Sequence, residues 1–330
     1  MHPPLLSVKA LTTTFRTEPG VFPAVDGLSF DVAPGEVLGI VGESGSGKSV
    51  TALSILGLLP DPPGRIASGS IRFEGHEIVG MSKSELRALR VPSIGMIFQE
   101  PMTSLNPVFR IGDQIIETIR AHEPVSKAQA RQRAIGLLDR VGIGMPERRL
   151  DDYPHELSGG MSQRVMIAIA LACSPRLLLA DEPTTALDVT IQAQLLDLLR
   201  DIQRETNMAV VIITHNMGVI AEFADRVLVM YAGRLAEQGT VDAVFTTPRH
   251  PYTQGLLAST PNLERDEARL ATIPGVLPQL TETLPGCRFA PRCARRSDAC
   301  LQSKPPMVDT GQGQLAACFH WDVSAPGALP

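Results

Sequence analysis

A glycine-rich octapeptide, placed between an apolar run and a helix-forming stretch, limits this chain more than any other feature. Gly42-Glu-Ser-Gly-Ser-Gly-Lys-Ser49 follows Glu36-Val-Leu-Gly-Ile-Val41 and precedes Val50-Thr-Ala-Leu-Ser-Ile-Leu56. The order is strand, glycine loop, helix, which is the context a phosphate-binding loop requires. Gly42, Gly45 and Gly47 let the backbone curl so that successive N–H groups face one point. The helix starting near Lys48 adds the positive end of its dipole. Lys48 can then reach β- and γ-phosphates, and the Ser49 hydroxyl can ligate Mg²⁺. Glu43, Ser44, Ser46 and Val50 complete the stretch expected around the nucleotide.

Bulk properties narrow the class. A length of 330 residues accommodates one large domain and a smaller one, and 44% apolar content supports a real core. A net charge of −5 and a pI near 5.8 argue against a nucleic-acid partner, which calls for a basic surface. No apolar run approaches the roughly 20 residues of a membrane span. Met1-His-Pro-Pro lacks the basic and then apolar segments of a signal peptide. A cytoplasmic location is expected, with any membrane association made through a partner.

Periodicity gives the organisation. Leu6-Ser-Val-Lys9, Thr12-Thr-Thr-Phe15 and Leu28-Ser-Phe-Asp-Val32 read as short strands, and residues 66–79 as a strand pair around Glu74-Gly75. Together they suggest a small antiparallel layer. Ser126-Lys-Ala-Gln129 is a capping-box pattern opening a helix through Leu137 and Leu138. This helical zone runs to about residue 174. Arg176-Leu-Leu-Leu-Ala180 and Ala209-Val-Val-Ile-Ile-Thr214 are continuous apolar runs, as in strands buried on both faces of a parallel sheet. Between them Ile191, Leu195, Leu198, Leu199 and Ile202 recur at helical spacing, so the unit is a βαβ crossover. After about residue 245 periodicity fades, and a separate loop-rich segment is expected.

Two further motifs bear on phosphate chemistry. Asp181 closes an apolar strand, where an acid can hold Mg²⁺ through water. Glu182 follows and can polarise an attacking water as general base. Leu157-Ser-Gly-Gly-Met-Ser-Gln-Arg164 lies just before an apolar helix, so Ser158, Gly159 and Gly160 form a second anion site at a helix N-terminus. One nucleotide does not easily use both. Two chains arranged head to tail would let each Ser158-Gly-Gly cover the other's γ-phosphate.

At these motifs the chain resembles the ATPases of ABC transporters. The resemblance covers nearly the whole chain. It implies an α/β P-loop NTPase core with an antiparallel β subdomain and a helical signature subdomain, followed by a small loop-rich, cysteine-containing C-terminal segment. It places a nucleotide-binding domain at 1–245, with its helical part at about 100–174, and a C-terminal region at 246–330. By the same resemblance Gln99, in Phe98-Gln-Glu-Pro-Met, senses Mg²⁺ and nucleotide. Asp188, in Ala186-Leu-Asp, touches the opposite subunit. His215, in Thr214-His-Asn, contacts the γ-phosphate and orients water with Glu182, and Phe15 stacks on adenine. Met161 stands where the commonest signature has glutamine. Lys48, Asp181, Glu182 and His215 are all intact, which implies hydrolysis of ATP rather than mere holding.

Gln99-Glu-Pro-Met-Thr-Ser-Leu-Asn-Pro107 and Arg249-His-Pro-Tyr-Thr253 look like the dipeptide, oligopeptide and nickel importer branch, and the signature with Met161 looks like the first of its two ATPase subunits. That branch implies two transmembrane permease subunits, a second ATPase in a hetero- or homodimer, and an extracytoplasmic solute-binding protein. It places the chain peripherally on the cytoplasmic face of the inner membrane. Peptide is the favoured cargo, with nickel as the alternative. A soluble ABC ATPase in translation or repair, usually a fused pair or one with a long coiled-coil insertion, fits less well, as does a drug exporter.

Cys173 lies alone in an apolar stretch and reads as a small core residue. Cys287, Cys293, Cys300 and Cys318 have the spacing C-x5-C-x6-C-x17-C. A cytoplasmic chain is not expected to build disulfides there, so metal ligation is the alternative. Some members of the branch carry such a set for a [4Fe–4S] cluster. Four thiolates suit an iron–sulfur cluster or Zn²⁺, although the closer cysteine pairs usual for zinc are missing. Arg288, Arg292, Arg295 and Arg296 would offset the charge of an anionic cluster.

Overall fold

The structure is a computed structural model that describes residues 3–18, 20–100, 104–185, 188–260, 272–278 and 284–322. Pro101, Met102 and Thr103 of the Gln99 motif, and Ala186 and Leu187 before Asp188, lie outside the described residues. The strands are β1 (Leu6–Thr17), β2 (Gly20–Val32), β3 (Val37–Val41), β4 (Gly64–Phe73), β5 (His76–Glu77), β6 (Ile94–Ile97), β7 (Leu177–Asp181), β8 (Ala209–Thr214), β9 (Arg226–Tyr231), β10 (Arg234–Thr240), β11 (Val308–Asp309) and β12 (Leu315–Ala316). Two compact units emerge. One comprises Met1–Val32, Val37–Gly80 and Ile213–Pro330; the other comprises Ala33–Glu36 and Met81–Ile212.

In the first unit an antiparallel sheet has the order β2-β1-β4-β5. The short strands expected near the start are two long ones. Register shifts between Val8 and Thr14 carry β1 past its polar residues without ending it. Ala10 takes a left-handed φ of 47°. Beside it a Cβ on Gly69 would lie 2.6 Å from Leu11 Cα, so the facing strand needs glycine at this bulge. The same unit holds strands in the order β11-β12-β10-β9-β3, with β3 parallel to β9 from Leu38↔Arg226 to Val41↔Val229. All five residues of β3 are buried, as its continuous apolar run predicts.

The segment after residue 245 is loop-rich but not separate. Its β12 pairs with β10 at Glu237↔Ala316 and Gln238↔Leu315. The start of the helix Pro251–Ala258 is tied to the same strand. Glu237, fully buried in β10, accepts bonds from the N–H groups of Arg249 (2.7 Å) and His250 (2.9 Å) and from Gln314 Nε2 (2.7 Å). Burial pushes its carboxyl up despite these bonds. His250 Nδ1 in turn accepts the Tyr252 N–H at 3.0 Å, capping the helix.

In the second unit β6 runs parallel to β7, and the order continues to β8. The expected crossover helix is Val189–Thr206, burying Leu195, Leu196, Leu199 and Ile202. The Ser126–Gln129 capping box is present and opens the helix Lys127–Arg140. Helix Ile111–His122 falls inside the expected helical zone. Helix Lys83–Ser93 falls before it and opens on another capping box, Ser82 with Glu85. Helix Gly159–Ala170 packs on Ile111–His122 and Lys127–Arg140. Among the described residues no helix is long and apolar enough to cross a membrane.

His250 makes the first unit sensitive to acid. Burial lowers its imidazole from 6.5 to about 4. Between those values the unfolded chain binds a proton that the folded chain refuses, so stability falls as pH drops through the window. The loss should reach on the order of 3 kcal/mol at the acid end. His250→Asn keeps an acceptor without the titration. Thermal stability from pH 6.5 to 4 should therefore fall more steeply for the parent than for the variant, and parallel curves would contradict this.

Candidate nucleotide-binding site

The glycine loop joins β3 to the helix Lys48–Leu56. Its glycines are required by close approach. A Cβ on Gly42 would lie 2.2 Å from the Met230 carbonyl oxygen, and one on Gly47 would lie 2.4 Å from that of Ala24. Gly47 has a φ of 97° and caps the helix with no side-chain bond, and the N–H groups of a helix N-terminus are a natural place for an anion. Lys48 is 5% exposed, and its Nζ donates to the carbonyls of Gly42 (2.8 Å) and Glu43 (3.0 Å). Ser46 Oγ is buried with no hydrogen-bond partner. Ser44 and Gly45 are exposed, and Ser49 and Val50 are half-buried.

Glu43 faces the C-terminal segment. Its N–H donates to Tyr252 Oη at 2.8 Å, and its carboxylate takes Arg292 Nη1 at 2.8 Å. In the same unit Asp26 takes Arg234 Nε (2.7 Å) and Arg288 Nη2 (2.9 Å). Burial alone would raise the Asp26 carboxyl, but these two arginines and Lys304 hold it below the usual range. Phe15 is half-buried, its ring stacked on Phe22 at 6.2 Å between centroids. His215 is exposed just after β8.

The second unit holds the remaining acids. Asp181 ends β7 and is 6% exposed. Glu182 has a left-handed φ of 48°, a strained backbone of the kind that accumulates at functional sites. Its Oε2 accepts from Gln99 Nε2 at 3.4 Å and from Thr185 Oγ1 at 2.8 Å. The structure thus brings together two residues 83 positions apart, both singled out from the sequence. Ser158 caps the helix Gly159–Ala170 by accepting the Met161 N–H at 3.4 Å. From that helix Gln163 donates to the Pro183 carbonyl at 2.6 Å. Asp188 caps Val189–Thr206 by accepting the Ile191 N–H at 2.9 Å.

Cys287, Cys293, Cys300 and Cys318 all line one small cavity with about 10 Å³ of free space. The sequence points to a [4Fe–4S] cluster with Zn²⁺ as the alternative, and the arrangement of these side chains supports neither. Among the described residues no three His, Cys, Asp or Glu side chains stand close enough to hold one metal ion. The sulfurs instead meet protein donors. Arg295 N–H approaches Cys293 Sγ at 3.4 Å, and His320 N–H approaches Cys318 Sγ at 3.3 Å. Burial raises the thiols of Cys287, Cys293 and Cys318, the last to about 11.

Residues 25–185 match the family model described as ABC transporter, and residues 236–300 match that of the oligopeptide/dipeptide transporter C-terminal region. The dipeptide transport ATP-binding protein DppD of Escherichia coli (strain K12) is 50% identical, over 96% of this chain and 96% of that protein. The chain belongs to the ABC transporter family. It is an ATPase subunit of that family, and the cassette fold agrees. The oligopeptide transport ATP-binding protein OppD of Bacillus subtilis (strain 168) is 53% identical, over 99% of this chain and 91% of that protein. The ATP-binding cassette MJ0796, solved as a post-hydrolysis dimer with ADP and Pi, superposes with a TM-score of 0.65 at 28% identity. That match covers 72% of this chain and 98% of MJ0796.

Sequence reasoning missed Glu237, Tyr252, Gln163 and Thr185 as partners of the motif residues. Tyr252 is visible only as part of the Arg249–Thr253 pattern, and nothing local says that its hydroxyl reaches residue 43.

The crowding at Gly47 gives a direct check. Gly47→Ala should weaken binding of a non-hydrolysable ATP analogue at least about tenfold, because the loop must move to admit the methyl group. Calorimetric titration measures this, and parent-like affinity would show that the cradle is not required.

Proposed function

We propose that this chain hydrolyses ATP to drive peptide import through a membrane permease. The observation that carries the cargo class is the stretch 236–300, with its likeness to the C-terminal region of peptide transporters. The names of the relatives at 50% and 53% identity support the same class over nickel.

In this reading Lys48 moves from the Gly42 and Glu43 carbonyls to the β- and γ-phosphates, and the Ser44–Ser49 amides cradle them. Phe15 stacks on adenine. The hydroxyl of Ser49, the carboxylate of Asp181 and the side-chain oxygen of Gln99 are hard oxygen donors, a set suited to Mg²⁺. When bound, Mg²⁺ neutralises charge on the transferring phosphoryl group. Glu182 takes the proton of the attacking water, and His215 orients that water. Gln99, bonded to Glu182, links nucleotide state to the general base. Ser158, Gly159 and Gly160 act on nucleotide held by a partner ATPase, with Asp188 facing that partner. Two permease subunits and an extracytoplasmic binding protein complete the system, which sets this chain on the cytoplasmic face of the membrane. Residues 1–245 form the nucleotide-binding domain and 246–330 its C-terminal region.

A [4Fe–4S] cluster is proposed at Cys287, Cys293, Cys300 and Cys318. The reading rests on the number and spacing of the four cysteines, on their lining one cavity, and on the N–H groups directed at two of the sulfurs.

Two measurements test this reading. Glu182→Gln should lower ATP turnover of the assembled transporter by about 10²–10⁴-fold while nucleotide still binds. Uptake of a labelled peptide should fall with it, and unchanged turnover would remove Glu182 from its role. Anaerobically purified protein should contain about four irons per chain, lost on Cys293→Ser. One zinc without iron would favour zinc, and neither metal would leave plain thiols.

A further inference from the structure

Glu43 is the second residue of the glycine loop, and two side chains of the C-terminal segment hold it. Tyr252 takes its backbone N–H and Arg292 takes its carboxylate, each at 2.8 Å. Neither anchor is a casual surface contact. Tyr252 is fully buried, with its ring 4.6 Å from Tyr231 and 5.4 Å from Phe289. The Arg292 side chain is 6% exposed and the Glu43 side chain 28% exposed. The guanidinium is fixed on its other sides. Nε donates to the Pro274 carbonyl at 2.8 Å, Nη2 to that of Ile273 at 3.2 Å, and Nη1 also to Tyr231 Oη at 3.3 Å.

These contacts have two chemical consequences. The Glu43 N–H is committed to Tyr252, so the anion cradle begins at Ser44. The Glu43 carboxylate, one residue from that cradle, would repel a polyphosphate if left unpaired. Arg292 pairs it. The Glu43 N–H shares its planar peptide with the Gly42 carbonyl, which accepts Lys48 Nζ at 2.8 Å, so fixing this peptide helps to fix the resting place of the lysine.

We propose that Arg292 and Tyr252 are positioning residues for the phosphate cradle, so that the C-terminal segment sets the affinity of the loop for ATP. The proposal rests on the reading of residues 42–49 as the nucleotide site. It is independent of whether the cysteine cavity holds a metal.

The test uses the full chain and a non-hydrolysable ATP analogue, titrated by calorimetry, with KM and kcat measured on the assembled transporter. Lys48→Ala checks the underlying reading, because retained binding there would overturn the nucleotide site itself. Arg292→Ala should weaken binding about tenfold and raise KM, with kcat changed less than about twofold. Glu43→Gln placed in the Arg292→Ala chain removes the unpaired charge and should recover most of the lost affinity. Tyr252→Phe should weaken binding about fivefold through one lost hydrogen bond. Gln254→Ala cuts a contact to Arg295 in the same segment without reaching Glu43, and should bind like the parent. Parent-like affinity of Arg292→Ala, no recovery in the double variant, or an equal loss in Gln254→Ala would each overturn the proposal.

Discussion

The glycine loop is pressed against two backbone carbonyls, and that crowding organises the first unit. Met230 in β9 supplies one carbonyl and Ala24 in β2 the other. One strand belongs to the sheet containing β3 and the other to the antiparallel sheet, so the loop lies where both sheets approach it. A side chain at Gly42 or Gly47 would collide with main chain, which cannot swing aside as a flexible side chain can. The same closeness lets Gly233 N–H reach the Ser46 carbonyl at 2.9 Å and Asp26 N–H reach that of Gly233 at 2.8 Å. The cradle is therefore shaped from outside as well as by its own glycines.

Around the loop, buried charge is handled by specific pairing. Asp26 is shared by Arg234 and Arg288, and Glu237 is satisfied by two backbone N–H groups and one amide side chain. Removing one partner of such a group leaves a desolvated charge, which costs more than the bond itself contributes. These pairs join residues far apart in the chain. They make the C-terminal segment part of the first unit, although its regular structure is sparse.

What was legible in the sequence was local. Gly42 to Ser49 stand out because strand, loop and helix are consecutive, and Asp181-Glu182 because they end an apolar run. The capping box at Ser126 was equally plain. Continuous β1 was not legible, because bulges hide the alternation that marks a strand. The partners of Glu43 were not legible either, since Tyr252 lies 209 positions away and Arg292 lies 249 away. No periodicity or spacing encodes such a contact, which forms only when the fold brings the segments together. The cysteines were conspicuous as a set, but their spacing does not encode whether the sulfurs come together as the ligands of a cluster or an ion.

The two-residue strand β12 also has a meaning for solubility. It occupies the outer side of β10, and β11, equally short, lies beyond it. A seven-residue strand such as β10 would otherwise present a row of unpaired amides and carbonyls to any passing chain. Short terminal strands are poor templates for further pairing. The tail of the protein thus acts as a selvedge, finishing the sheet so that it does not extend into its neighbours.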